Sequence, residues 1–276
     1  MSCNAPIGVF DSGIGGLTVA REIMRQIPGE TIIYFGDTAR VPYGSKSQKT
    51  IITYSRQIIK FLQTKDVKAI VIACNTASAL ALEVVAREVS IPVIGVVKPG
   101  AKVASEATKN GNIGVIGTEG TINSGIYNTY IKELNPDVRV YGKACPLFVP
   151  LVEEGWLTDP LTVEVAKRYI SSLLGLNIDT LVLGCTHYPL IRNIIGSIVG
   201  NDVTLVNPAY ETAIELKQVL LQAGIENNGP ACEHKFYVSD GADKFKRFAN
   251  TILPCDVVET EDVNIESFAD ALTTYL

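Results

Sequence analysis

Cys74 and Cys185 close two apolar runs of the same form, and a pair of thiols so placed can do acid–base chemistry on one ligand from opposite sides. The first run, residues 67–76, reads VKAIVIACNT; the second, residues 178–187, reads IDTLVLGCTH. Each is a strand pattern followed by a helical one. That puts each cysteine at the carboxyl end of a buried parallel strand, where open α/β sheets hold their ligands. A free cysteine alone is most often a small buried hydrophobe. Two in register across a repeat point instead to a thiolate on one face and a thiol on the other, which is what two-base proton transfer at carbon requires. Each is expected just before a helix N-terminus, whose dipole and free N–H groups favour thiolate and can hold a carboxylate.

Other groups converge on the same strand ends. Asp11-Ser12-Gly13-Ile14-Gly15-Gly16 closes the first strand with a carboxylate, a hydroxyl and exposed backbone N–H groups. Taken alone it fits either a nucleotide loop or a tight turn capped by Asp11, although it lacks a P-loop lysine and the G-x-G-x-x-G spacing. Asp37 to Gly44 follows the second strand; there Tyr43 and the Gly44 N–H could hold a carboxylate, or Pro-Tyr-Gly is simply a turn. Glu153 and Glu154, in the matching loop further on, would bind an ammonium group or polarise His187, or else are solvated. His187, two residues past Cys185, is placed to assist that thiol, whereas His234 reads as structural. With two histidines and no C-x-x-C spacing, no metal site is expected.

The elements that must position these groups repeat. Ile7-Gly8-Val9-Phe10 opens a first unit and Ile113-Gly114-Val115-Ile116 a second, and later strand pairs follow in the same order. Strands alternate with helices, near 16, 47–63 and 77–88 in the first unit, the signature of mainly parallel sheets with helices on both faces. The segment 99–110 leads into the second unit. After a strand near Val203 come a helix at about 209–223, a flexible loop at Asn227-Asn228-Gly229-Pro230, a strand at 235–239 and further helix to the end. The predicted architecture is two similar α/β domains about a pseudo-two-fold axis. The first, discontinuous, comprises 1–97 plus 208–276, and the second 98–207.

The chain has 276 residues, 47% hydrophobic and 19% charged, with a net charge of −5. That is ample for two cores, and it gives no electrostatic reason to expect nucleic acid as a partner. No apolar run reaches the roughly 18 residues of a membrane span, and no secretory signal is visible. A cytoplasmic protein with six reduced cysteines is expected.

Four motifs, DSGxGG at 11–16, GDTARxPYG at 36–44, ACNTA at 73–77 and GCTHYP at 184–189, resemble those of the glutamate racemases in the cofactor-independent aspartate/glutamate racemase superfamily. The resemblance runs over essentially the full length. It implies two α/β domains with the site between them, Cys74 and Cys185 as the acid/base pair, and no cofactor. It also implies substrate contacts from Asp11, Ser12, Tyr43, Gly44, Asn75, Thr76, Thr186 and His187. Cys74 would serve D-glutamate and Cys185 L-glutamate, in a homodimer that supplies D-glutamate for peptidoglycan. The chain starts five residues before its first strand. The activation by a cell-wall nucleotide precursor found in members with an N-terminal extension is therefore not expected. The rival readings are an aspartate racemase, a cysteine hydrolase using Cys185 and His187, and a regulatory binding protein with a partner such as DNA gyrase.

Overall fold

The computed structural model describes residues 2–269. The first stretch runs β1 (Ile7–Asp11), α1 (Leu17–Gln26), β2 (Ile32–Gly36), α2 (Gln48–Gln63), β3 (Ala69–Ile72), α3 (Asn75–Leu80), α4 (Leu82–Val85) and β4 (Val93–Gly95). Helix α5 (Val97–Ala107) leads on to β5 (Asn112–Gly117), α6 (Glu119–Asn123), α7 (Ile126–Leu134), β6 (Arg139–Ala144), α8 (Phe148–Glu153) and α9 (Pro160–Leu174). Then come β7 (Thr180–Gly184), α10 (Arg192–Val199), β8 (Thr204–Val206), α11 (Pro208–Gln222), β9 (Lys235–Val238), α12 (Ala242–Ile252) and β10 (Glu261–Asp262).

The strands form two wholly parallel sheets, ordered β10-β9-β2-β1-β3-β4 and β6-β5-β7-β8. Four strands of the first repeat the order of the second. Val9 in β1 lies between Tyr34 and Val71, and Val115 in β5 lies between Gly142 and Val182. Every residue of β1, β3 and β7 is buried, which explains their unbroken apolar sequences. In each unit the chain steps from the central strand to one side and then returns to the other. That leaves a switch point between β1 and β3, and between β5 and β7, where the loops diverge and open a crevice at the strands' carboxyl ends.

Helices α11 and α12 return to the first unit. Ala213, Leu216, Leu220, Phe245 and Ala249 share one apolar cluster with Leu17, Ala20 and Ile23 of α1. Helix α2 matches its predicted span, with Ser47 as N-cap accepting from the Thr50 N–H, and it buries Ile51, Ile58, Phe61 and Leu62 at helical spacing.

Four expectations change. The helix expected over 77–88 is two short helices broken at Ala81. The connecting segment at 99–110 is largely helix α5, in which Pro99 sits in the first turn, where its missing N–H costs nothing. The loop at Asn227 is tied down, because Glu30 Oε1 accepts from the Asn227 N–H and Gly29 O accepts from its side-chain amide. Beyond α12 the chain forms β10 and a 3-10 turn at Ile265–Phe268 rather than further helix; the last part of that expectation, 270–276, lies outside the described residues. Among the described residues no helix is long and apolar enough to cross a membrane.

Candidate active site

Both switch points open onto one cavity between the units. It is lined by Ser12, Tyr43, Gly44, Cys74, Asn75, Thr76, Cys185, Thr186 and His187, together with Pro42, Thr118 and Val149. Nine of the eleven residues predicted for the site therefore face one space. Asp11 and Glu153 stand behind it. Cross-unit contacts close the cavity: the Thr186 hydroxyl donates to Asp11 Oδ1 at 3.2 Å, Thr76 and Thr118 hydroxyls meet at 2.8 Å, and the Gly120 N–H donates to Gly44 O at 2.8 Å. Gly15 permits this approach, since a Cβ there would come 2.4 Å from Thr186 Oγ1 and 2.6 Å from His187 Nδ1.

The two thiols have different surroundings. Cys74 caps α3 and is buried, with its sulfur 3.8 Å from Ser12 Oγ. Burial first, and then the charge of Asp11, push its thiol up to about 12, against the Ala77 N–H and the Ser12 hydroxyl. The expected stabilisation of thiolate by a helix N-terminus is thus overridden here, because α3 has only six residues and desolvation dominates. Cys185 is followed first by a 3-10 turn that begins at Tyr188, and the α-helix α10 starts only at Arg192.

Beside Cys185, His187 makes two contacts, Nδ1 at 3.7 Å from the cysteine sulfur and Nε2 at 2.8 Å from Glu153 Oε1. Burial alone would lower the His187 pKa, yet its bonds to Cys185 and Glu153 carry it well above the ordinary 6.5. Glu153 responds in kind: burial would raise its carboxyl, but His187 holds it below the usual value. Glu153 is the last residue of α8 rather than part of a loop, whereas Glu154 is exposed and pairs with Lys244 at 3.5 Å. Asp11 is wholly buried, and that desolvation raises its carboxyl even though His187 and the Gly13 N–H oppose it.

His234 lies away from the cavity, where its Nδ1 accepts from the Ile32 N–H at 3.1 Å, and burial lowers its pKa. With only two histidines, proton NMR should separate them, one titrating above 6.5 and one below. In Glu153→Gln the His187 titration is expected to move to lower pH while His234 stays. An unmoved His187 would show that the carboxylate does not hold its charge.

Sequence reasoning missed several groups. The Tyr43 hydroxyl donates to Asp37 Oδ2, so it is already engaged. The Asn75 carboxamide is oriented by Tyr127, whose hydroxyl donates to Asn75 Oδ1 at 2.7 Å from the second unit. Thr118 follows β5 as Ser12 follows β1, so the repeat itself carried the signal for it. Tyr127 sits on a helix face with no motif around it.

Residues 7–214 match the Asp/Glu/Hydantoin racemase family. The chain belongs to that family. It is 49% identical to the glutamate racemase of Geobacter metallireducens over 95% of this chain and 97% of that one. With the glutamate racemase of Chlorobaculum tepidum the identity is 48%, covering 96% and 98%. Among solved structures, the glutamate racemase of Francisella tularensis in complex with D-glutamate superposes with a TM-score of 0.90 at 42% identity, over 96% of this chain and 99% of that one. The family membership accords with the resemblance carried by the four motifs.

Proposed function

We infer that the protein interconverts L- and D-glutamate by moving a proton between Cys74 and Cys185, the D-glutamate serving peptidoglycan synthesis. The observation that carries this reading is the pair of thiols, one from each unit at equivalent strand ends, lining one cavity with opposite charged partners. On the Cys185 side a protonated His187, held by Glu153, is positioned to donate to a thiolate. On the Cys74 side Asp11 disfavours thiolate. This asymmetry suits a start from L-glutamate, with Cys185 as base and Cys74 as acid. The Cys185 sulfur takes the α-proton, the electron pair remains on the α-carbon, and the Cys74 S–H supplies a proton to the other face. The enzyme is then left with Cys74 as thiolate and Cys185 as thiol, ready for the reverse direction; when D-glutamate instead meets an enzyme whose Cys74 still holds its proton, Asp11 is the group that accepts it.

The obstacle is the weak acidity of an α-carbon beside a carboxylate. Ser12, Asn75, Thr76 and Thr186 are the groups we assign to that carboxylate, each well-placed donor contributing about 3–4 kcal/mol as charge develops. Enclosing the substrate between the two units would exclude water and orient both thiols on it. We divide the chain into 1–97 plus 208–276 and 98–207, a division supported by which strands share a sheet. A cytoplasmic homodimer is the assembly we assign, which six unpaired cysteines and the exposed Leu147, Trp156 and Leu161 around α8 support.

Circular dichroism of purified protein in chelator, with L-glutamate and L-aspartate, tests the reading. Glutamate should racemise with no added cofactor. Aspartate, one methylene shorter, is expected to turn over roughly 10- to 200-fold more slowly. Equal rates on both, or activity that vanishes in chelator and returns with zinc, would overturn the assignment.

A further inference from the structure

Behind the Tyr43 wall of the cavity lies a buried ionic network that proton transfer does not itself use. Asp37, just after β2, has no exposed surface. Its carboxylate accepts from Arg40 Nε at 3.0 Å and 2.8 Å, and from the Tyr43 hydroxyl. The Arg40 guanidinium carbon lies 3.8 Å from the centroid of the Tyr54 ring. Its Nη1 donates to Gln57 Oε1 at 2.5 Å and to Glu266 Oε1 at 3.1 Å. Glu266 belongs to the 3-10 turn at Ile265–Phe268, which is anchored by buried Ile265 and by Phe268 packing edge-on against Phe61.

Past Tyr43 the wall reaches the second unit. Gly44 O accepts from the Gly120 N–H, and a Cβ at Gly44 would come 2.5 Å from Thr118 Cβ. Residues 42–44 therefore line the cavity and fasten the two units together. We propose that Arg40 is a positioning residue for racemisation: through Asp37 it holds Tyr43, and so fixes the 42–44 wall against the second unit and sets glutamate binding without touching glutamate.

The geometry grades the network. A wholly buried carboxylate cannot keep its charge unpaired, so the inner contacts are indispensable to the wall. Lysine cannot replace the planar fork and the stacking on Tyr54. The Glu266 side chain is 66% exposed, so solvent screens the outer pair and Glu266→Gln should change little.

The inference rests on the glutamate racemase reading, which wild-type turnover in the same assay tests separately; the inference is judged on variant-to-wild-type ratios. Because racemisation has an equilibrium constant fixed by symmetry, kcat/KM must fall equally in both directions, and the split between KM and kcat is diagnostic. Arg40→Lys is expected to raise KM about tenfold for both enantiomers with kcat within about threefold. Tyr43→Phe should raise KM likewise, and the double variant should be no worse than the weaker single, since both act through one contact. If Arg40→Lys fails to fold by circular dichroism, Asp37→Asn takes its place with the same expectation. Unchanged KM, a loss confined to kcat, or additive effects in the double variant would overturn the proposal.

Discussion

Cys74→Ala and Cys185→Ala should each lose glutamate racemisation by roughly 10³-fold or more, within the range that a positioned acid or base contributes. In D₂O, however, each should still exchange the α-proton of one enantiomer. The two sulfurs belong to different units and face one cavity from equivalent strand ends, so removing one leaves the other's face of the substrate served. Abstraction and return from a single face exchange the proton with solvent without inverting the carbon. In the proposed mechanism Cys185 serves L-glutamate and Cys74 serves D-glutamate, so Cys74→Ala should label only L-glutamate and Cys185→Ala only D-glutamate. Mass spectrometry after chiral separation reads this directly. Substantial racemisation by either variant, or labelling of both enantiomers by one, would refute a two-thiol mechanism.

What the sequence revealed of this fold depended on where its signals were local. The buried strands β1, β3, β5 and β7 carry unbroken apolar runs, and their repetition in order made the two-unit architecture legible before any contact was known. Helix α5 was hidden because Pro99 reads as a breaker unless it is known to lie in a first turn. The break at Ala81 has no marker, as Ala is the best helix former, and Leu80 and Leu82 on its two sides both pack against the apolar cluster beneath α2.

The site divides in the same way. Residues within three positions of a strand end, such as Ser12, Asn75 and Thr186, were readable from motif and register. Tyr127 reaches Asn75 across 52 residues of sequence, and no local pattern encodes such a pairing. The electrostatics also depend on tertiary burial. A thiol at a helix start looks activated in sequence, whereas desolvation and Asp11 together drive Cys74 the other way.

That opposition gives Asp11 a test with two readouts of opposite sign. Asp11 bonds to Thr186 beside one thiol and acts by its charge on the other. If its carboxylate receives the Cys74 proton when Cys74 serves as base, Asp11→Asn should lower kcat by roughly 10²-fold while changing KM much less, since such an interaction is made mainly in the transition state. At the same time the substitution removes a negative charge that pushes the Cys74 thiol up. Its pKa should fall from about 12, and thiolate should form at lower pH. The ultraviolet absorbance of thiolate, taken as the difference between Asp11→Asn with and without Cys74→Ala, follows that ionisation. More Cys74 thiolate with slower turnover would identify Asp11 as a proton acceptor, because charge alone would make the less inhibited thiolate the better base. Faster turnover alongside the shifted ionisation would reduce Asp11 to an electrostatic brake, and a rise in KM alone would make it a binding residue; either result removes it from the proton path.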